Sequence, residues 1–216
     1  MKNVIITLCL LAQSALPCFS QTLEEALAEQ AAKWSGIRAK ALPTEAASKV
    51  CEIIEGSKSP NGNYAFGIAG EETCLVDLKA DKVLAWSAVA HLGAEQTYNH
   101  NTHEVVWSAD STQALQMEQG KWETQQAEAF RIFKDKAVWL GDVRTALIAA
   151  AEAKAKSDPL FEGVITVSAA KFGKKNTLTG TGMTQTPKGD GGGDISFSGT
   201  FSEKGKFTVT TLQAKP

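Results

Sequence analysis

The sequence predicts an α+β protein in which antiparallel β meanders pack with two helices and a C-terminal antiparallel sheet. The apolar period changes from helical to alternating near Val50, returns to helical near Asp142, and alternates again from about residue 161. Turn-forming clusters separate the alternating runs at short intervals, which is typical of antiparallel strands. No long linker separates these parts, so residues 21–216 are predicted to form a single domain.

Residues 1–20 have the plan of a secretory signal. Lys2 precedes an apolar stretch, and Pro17 and small residues follow that stretch. The apolar stretch is much shorter than the ~20 residues that a membrane-spanning helix requires. We therefore expect cleavage after Ser20, a periplasmic or secreted protein, and no membrane insertion after signal removal.

The charge balance argues against a polyanionic partner. The chain has a formal net charge of -2 at pH 7, and loss of the signal removes one lysine and no acid. A chain of this kind lacks the basic surface that is typical of proteins that bind nucleic acid or anionic lipid. We therefore expect no nucleic-acid partner.

Two cysteines, Cys51 and Cys74, remain once the signal is removed. In an oxidising compartment they can form one disulfide, which would enclose residues 52–73 and contribute roughly 3 kcal/mol in the chain-entropy model. The alternative is a pair of buried thiols that behave as small apolar residues. We predict the bridge between Cys51 and Cys74.

Residues 22–42 are predicted to form an amphipathic helix. Thr22 precedes Glu25 by three positions, which is the spacing of a capping box, and Pro43 ends the segment. The apolar stripe could lie on a membrane, but the opposite face mixes Glu and Lys without basic enrichment. This mixture favours packing against the core.

Residues 142–157 are the clearer helix. Asp142 is the predicted N-cap, and lysines occupy the last turn before Pro159. The predicted apolar stripe consists of Val143, Ala146, Leu147 and Ala150. This stripe is the face that we expect to pack against the sheets.

The segment from residue 50 to about 140 is predicted to form β meanders. In the run YAFGIA, large residues from Tyr64 to Ile68 alternate with small ones, so the two kinds would lie on opposite faces of a strand. Residues 161–214 contain four alternating, Thr-rich runs and are predicted to form a four-stranded antiparallel sheet.

Residues 121–134 fit two structures. Trp122, Gln126, Phe130 and Phe133 have helical spacing, whereas residues 130–132 also alternate. We favour a strand, because the segment follows a glycine turn after a β-like run.

A turn signature occurs twice in the chain. The first copy reads SPNG from Ser59 and the second reads SADS from Ser108. Both copies resemble the repeat of periplasmic β-propellers of the TolB type (PD40-like), whose blades carry a Ser-Pro-Asp-Gly turn. The sequence departs from that pattern at Asn61, Ala109 and Ser111.

The resemblance covers roughly residues 50–124. A closed propeller requires four or more blades, so two copies predict two blade-like units that pack on each other or on helices, and not a closed ring. The resemblance implies binding, because propeller modules usually present loops and sheet edges to protein partners, although fold alone does not establish function. The chain also resembles short secreted bacterial proteins without an assigned function.

The three histidines, His91, His100 and His103, lie close together in sequence, with Glu104 adjacent and Asp110 nearby. Imidazoles and carboxylates are the ligands of zinc and copper sites, so the histidines are candidate metal ligands. The surrounding sequence is polar, turn-like and unlike the H-E-x-x-H motif. We favour solvated or hydrogen-bonded loop histidines.

The sequence contains no complete catalytic or cofactor motif. A nucleophile elbow, a P-loop and a dinucleotide fingerprint are all missing. Asp77, Asp81, Glu104 and Asp110 could supply a carboxylate pair for a glycosidase, but that mechanism depends on a separation which sequence does not give. We therefore assign no catalytic residue and no cofactor.

These observations favour a non-catalytic binding module whose ligand is another envelope or extracellular protein, with a glycan as the second choice of ligand. The alternative is a metal-dependent or carboxylate-based hydrolase that uses the loop of His91, His100 and His103. We expect the binding loop between residues 91 and 110, close to Trp86. The candidate binding residues are Trp86, Tyr98, His100, His103, Trp107 and Asp110.

Overall fold

The computed structural model describes residues 40–89, 102–120, 123–174, 176–185, 192–203 and 205–215. These residues form three four-stranded antiparallel sheets, each of which is a meander of strands consecutive in sequence. Two α-helices and one short 3-10 helix accompany the sheets. The predicted α+β fold is confirmed: the described strands form open, blade-like sheets and do not close into a propeller.

The first sheet follows helix α1 and contains four strands. The elements are α1 (Ala47–Val50), β1 (Glu52–Ile53), β2 (Tyr64–Ala69), β3 (Glu72–Asp77) and β4 (Lys82–Ser87). The alternation predicted for β2 is confirmed, because Tyr64 and Phe66 pack against the second sheet. The opposite face of the first sheet carries Cys74, Val76 and Trp86, which pack with α1.

The second sheet repeats this plan. Its strands are β5 (Thr102–Trp107), β6 (Gln113–Gln119), β7 (Thr124–Phe133) and β8 (Lys136–Asp142). The strand favoured for the ambiguous segment is confirmed as β7. Phe130 and Ile132 alternate onto the face that meets the first sheet and are buried there.

The C-terminal part consists of helix α2 and the third sheet. Its elements are α2 (Val143–Ala155), a 3-10 helix (Pro159–Phe161), β9 (Val164–Phe172), β10 (Thr177–Gln185), β11 (Gly192–Phe201) and β12 (Phe207–Ala214). The predicted N-cap is confirmed, since the carboxylate of Asp142 accepts from the N–H of Thr145 at 3.1 Å and from its hydroxyl at 2.7 Å. The helix ends at Ala155, two residues before the predicted boundary.

The second sheet is the middle layer of the molecule. Leu115 and Met117 project from one face of β6 into a core shared with α2 and the third sheet. Ala114 and Phe130 project from the other face toward the first sheet. Both faces of the second sheet are therefore covered by other parts of the chain.

The predicted signal at residues 1–20 lies outside the described residues, as does most of the predicted helix at 22–42. The last three residues of that segment, 40–42, are described and are not helical. Among the described residues, no helix combines the length and the apolar character needed to cross a membrane.

Candidate functional site

The first turn signature is closed by the side chain of Ser59. Its hydroxyl donates to Asn61 Oδ1 at 2.8 Å and accepts from the N–H of Tyr64 at 3.0 Å. Gly62 adopts a left-handed backbone conformation with φ of 72°, which glycine tolerates without steric cost. Strand β2 begins at Tyr64, directly after this turn.

The second turn signature has the same hydrogen bonds. The hydroxyl of Ser108 donates to Asp110 Oδ1 at 2.6 Å and accepts from the N–H of Gln113 at 2.8 Å. Ser111 occupies the position of Gly62 and has φ of 60°. Asp110 and Ser111 of the second copy therefore keep the turn geometry that Asn61 and Gly62 have in the first copy.

Asp110 is a structural residue of this turn. Besides Ser108, Thr112 donates to its carboxylate through the backbone N–H at 3.0 Å and through the hydroxyl at 2.8 Å. The hydroxyl of Ser108, followed by these bonds from Thr112, holds the pKa of Asp110 below its ordinary value. The carboxylate of Asp110 therefore closes the turn through its hydrogen bonds to Ser108 and Thr112.

The two turns contact each other. The backbone N–H of Asn61 donates to Ser111 Oγ at 3.1 Å. Nearby, the indole N–H of Trp107 donates to the carbonyl of Ser57 at 2.9 Å, and the ring lies against Tyr64 with the centroids 6.5 Å apart. Trp107, which we predicted as a binding residue, joins the two sheets.

Part of the contact between the first two sheets is made by buried polar side chains. Glu128, with 0% of its surface exposed, accepts from the hydroxyl of Ser87 at 3.0 Å and from the N–H of Ala88 at 2.9 Å. Its other oxygen accepts from the indole N–H of Trp139 at 3.1 Å. This carboxylate ties the end of β4 to β7 and β8.

Gln116 lies beside Glu128 in the register of the second sheet. Its amide nitrogen is 2.8 Å from Thr73 Oγ1 and 2.6 Å from His103 Nε2. Because an amide nitrogen only donates, His103 Nε2 is the acceptor. His103 is therefore held between the sheets by a buried glutamine, and does not project from an exposed loop.

The described residues do not form a metal site. No three side chains of His, Cys, Asp or Glu converge on a common point in this part of the chain. Of the candidate metal ligands only His103 is described, whereas His91 and His100 lie outside the described residues, as does Tyr98.

Cys51 and Cys74 lie side by side on the outer face of the first sheet. The structure has both as free thiols, so the predicted bridge is not formed in it. Cys51 Sγ donates to the carbonyl of Ala47 at 3.3 Å, and Cys74 Sγ donates to the carbonyl of Gly67 at 3.7 Å. Burial raises the pKa of both thiols, and for Cys74 a charge on Cys51 raises it further. Such thiols are poor nucleophiles at neutral pH, and the bridge remains a prediction.

Gly67 provides the space in which these thiols meet. It pairs with Ile53 on one side and with Cys74 on the other. A Cβ atom at this position would lie 2.8 Å from Cys51 Sγ. A larger residue would therefore displace Cys51 from its neighbour.

A cavity of about 250 Å³ opens between β4 of the first sheet and β8 of the second. Its walls are mainly aromatic and aliphatic, with one lysine. The lining residues are Lys40, Leu42, Leu84, Ala85, Trp86, Phe130, Ala137 and Trp139. Of the predicted binding residues that the structure describes, only Trp86 lines this cavity.

The two tryptophans of the cavity are held by their indole N–H groups. Trp86 donates to the carbonyl of Ala41 at 3.2 Å, and Trp139 donates to buried Glu128. Lys40 places its ammonium group 4.2 Å from the centre of the Trp86 ring and pairs with Glu72. The cavity wall therefore combines apolar side chains with polar groups, among them the ammonium group of Lys40.

The sequence analysis missed Trp139 as a partner of Trp86. The repeat itself could have identified it, because KVLAW after Asp81 and KAVWL after Asp135 are the fourth strands of the two meanders. Aligning these strands places Trp86 and Trp139 at neighbouring positions of equivalent elements.

No protein-family model and no curated protein sequence matches this chain. A solved structure that is similar belongs to a protein from Lactobacillus plantarum, with a TM-score of 0.37 and 14% sequence identity. The match covers 73% of this chain and 40% of that protein. This chain therefore spans less than half of the length of that protein.

Proposed function

We propose that this chain is a secreted or periplasmic, non-catalytic binding module whose ligand is another protein. The cavity between β4 and β8 carries the proposal. Its walls contain aromatic and aliphatic side chains beside Lys40, and its two indoles are oriented by hydrogen bonds to Ala41 and Glu128. Rigid aromatic walls of this kind are typical of pockets that hold the anchor residue of a protein partner.

The size of the cavity favours a side chain as its occupant. Sites for drug-sized molecules and cofactors usually measure about 300 to 1,000 Å³, whereas this cavity measures about 250 Å³. One apolar side chain of a partner, entering from the surface, suits this smaller volume.

The hydrogen bonds of the carboxyl and imidazole groups that could act as acids or bases support binding over catalysis. Asp110 closes a turn, His103 is fixed by Gln116, and Glu128 joins three groups of two sheets. A general acid or base must reach the reacting atoms of a substrate. These groups instead serve packing and register.

The two turn signatures support a relation to repeats of the TolB type. Ser59 and Ser108 make equivalent hydrogen bonds to the residue two positions ahead and to the N–H that begins the next strand. Propeller modules of this type generally bind protein partners through loops and edges. The cavity lies at such a pair of edges, between β4 and β8.

Site-specific photo-crosslinking in the native envelope tests the proposal. A benzophenone amino acid is placed at Ala137, which lines the cavity, or at Glu152, which is exposed on α2. We expect a discrete crosslinked protein from position 137 that disappears when Leu42, exposed at the cavity rim, is replaced by Glu. The same products from both positions, or none from 137, would contradict the proposal.

Elemental analysis distinguishes the hydrolase alternative. Stoichiometric zinc in the purified mature protein, lost together with a hydrolytic activity when His91, His100 and His103 are all replaced by Ala, would favour the hydrolase. A metal-free protein that gives the cavity-dependent crosslink would favour the binding module.

A further inference from the structure

The hairpin of β7 and β8 exposes two large apolar side chains on one face. Phe133 is 63% exposed and Val138 is 48% exposed. They are diagonal neighbours, because Phe133 pairs with Lys136 and Val138 pairs with Arg131. Exposed apolar side chains that cluster in this way often mark an interaction surface.

Cationic side chains surround this apolar pair. Lys134 places its ammonium group 5.6 Å from the centre of the Phe133 ring, and Lys136 is exposed beside it. The ion pairs found within the described chain join Lys40 to Glu72 and Arg144 to Glu123. Neither Lys134 nor Lys136 is part of these ion pairs, and the exposed carboxylate nearest to them in sequence is that of Asp135.

Two turns of the third sheet extend the cationic surface. Arg131 donates to the side chain of Asn176 in the turn that follows exposed Lys174. Exposed Lys206 precedes Phe207, whose backbone nitrogen lies against Gly141 of β8. We call Phe133, Val138 and these basic residues the hairpin patch: Arg131, Phe133, Lys134, Lys136, Val138, Lys174 and Lys206.

We propose that the hairpin patch docks a protein partner whose contact surface combines an apolar pocket with an acidic rim. Phe133 enters the pocket, and the lysines meet the rim. This inference rests on the proposed function and adds the charge and shape of the partner. The patch is separate from the cavity, since Ala137 and Trp139 line the cavity from the face of β8 opposite Val138.

The charge pattern favours a protein over an anionic membrane. Asp135 stands between Lys134 and Lys136 at the exposed tip of the hairpin, where a layer of anionic headgroups would repel it. The residues are also held in a tight turn, in which Lys134 has φ of 58°. Because the charges of Lys134, Asp135 and Lys136 alternate at fixed positions, they suit a protein surface that has a complementary charge at each position.

A displayed library of random peptides, selected on the immobilised mature protein, tests this inference. We expect enriched peptides that combine an aromatic or aliphatic residue with several acidic residues. Their affinity should fall at least about tenfold for Phe133→Ser, as for the loss of a hot-spot side chain. The double variant Lys134→Glu, Lys136→Glu should select basic peptides instead.

Met183→Ser provides the matched control, because Met183 is 50% exposed on the third sheet and lies outside the patch. It should bind the acidic peptides like the wild type, and circular dichroism melts should show that all variants are folded. Peptides without acidic enrichment, or peptides retained by Phe133→Ser, would overturn the inference.

Two further outcomes separate this inference from the proposed function. Peptides that are lost with Leu42→Glu but not with Phe133→Ser would leave the cavity as the binding site and reject the hairpin patch. A library without enriched peptides would count against both. Sedimentation with phosphatidylglycerol vesicles that depends on Phe133 would replace the protein partner by a lipid surface.

Discussion

Asn61 and Ser111 join the two meanders by a hydrogen bond of 3.1 Å from a backbone N–H to a hydroxyl. Each residue belongs to the same turn in a different sheet, so the bond connects one copy of the turn signature to the other. Ser111 is only 1% exposed. The substitution of serine for glycine in the second copy thereby supplies the contact between the copies.

We expect Ser111→Ala to destabilise the protein by about 1 kcal/mol, because the N–H of Asn61 loses its acceptor. Ser111→Gly should cost less, since glycine relieves the left-handed conformation at φ of 60° while losing the same bond. Urea unfolding of both variants measures the difference. Equal stability of Ser111→Ala and the wild type would show that the contact contributes nothing.

Glu128→Ala should destabilise the protein by roughly 3 kcal/mol, because the N–H groups of Ala88 and Trp139 lose their acceptor in the interior. Glu128→Gln should cost less, since the amide keeps one oxygen as an acceptor. Glu152→Gln, on the exposed face of α2, is the control and should be nearly neutral. Chemical denaturation provides the comparison, and a small effect of Glu128→Ala would refute the role given to this carboxylate.

The N-cap of α2 should make stability depend on pH. Burial raises the pKa of Asp142 above its ordinary 3.8, although bonds from Thr145 and the charge of Arg144 oppose the shift. The stability that this group contributes is thus complete below pH 3.8 and is lost as pH rises through the higher pKa of the folded state.

Asp142→Asn retains an oxygen for the cap without a charge, so its stability relative to the wild type should rise across the same pH window. Asp142→Ala removes the cap as well as the titrating group, so it should be about 1 kcal/mol less stable than Asp142→Asn at any pH. Thermal unfolding from below pH 3.8 to neutrality tests both variants. If the difference in stability between the Asp142→Asn variant and the wild type does not change with pH, the raised pKa is contradicted.

The bridge between Cys51 and Cys74 should form on oxidation, because Cys51 Sγ lies against Gly67, the strand partner of Cys74. Mass spectrometry of the mature protein should then show two hydrogens fewer than in the reduced form. Gly67→Ala should hinder the bridge, since its Cβ atom would lie 2.8 Å from Cys51 Sγ. Gly70→Ala is the control: its Cβ meets no atom within 4 Å, and although φ of 69° makes alanine strained there, the variant should lose stability and still form the bridge. Two free thiols in oxidised wild-type material would reject the bridge.

The strands and turns could be predicted because their signals are local. Tyr64 and Phe66 alternate with small residues, and Ser59 and Ser108 carry the hydrogen bonds of a turn within six residues of sequence. The N-cap at Asp142 is equally local. Each of these features depends on residues that are close in the chain.

The polar contact and the cavity could not be predicted in this way. Gln116 alternates with Leu115 and Met117 in β6, a pattern that usually places the polar residue in solvent, yet Gln116 is 0% exposed. The first sheet covers the face of β6 that carries Gln116. This burial depends on the packing of two segments that are distant in sequence, so a local pattern does not reveal it. The cavity likewise requires β4 and β8 to lie edge to edge, which neither strand indicates alone.

The second sheet has no free face on which a further blade could stack, because other described parts of the chain cover both of its faces. A further blade stacked beyond the second sheet would have to displace α2 and the third sheet, since Leu115 and Met117 already pack with them. On the opposite side, α1 and its neighbours occupy the outer face of the first sheet. The terminal elements thus act as end caps in the manner of capping repeats in solenoid proteins, and they limit the stack to the two copies that the chain contains.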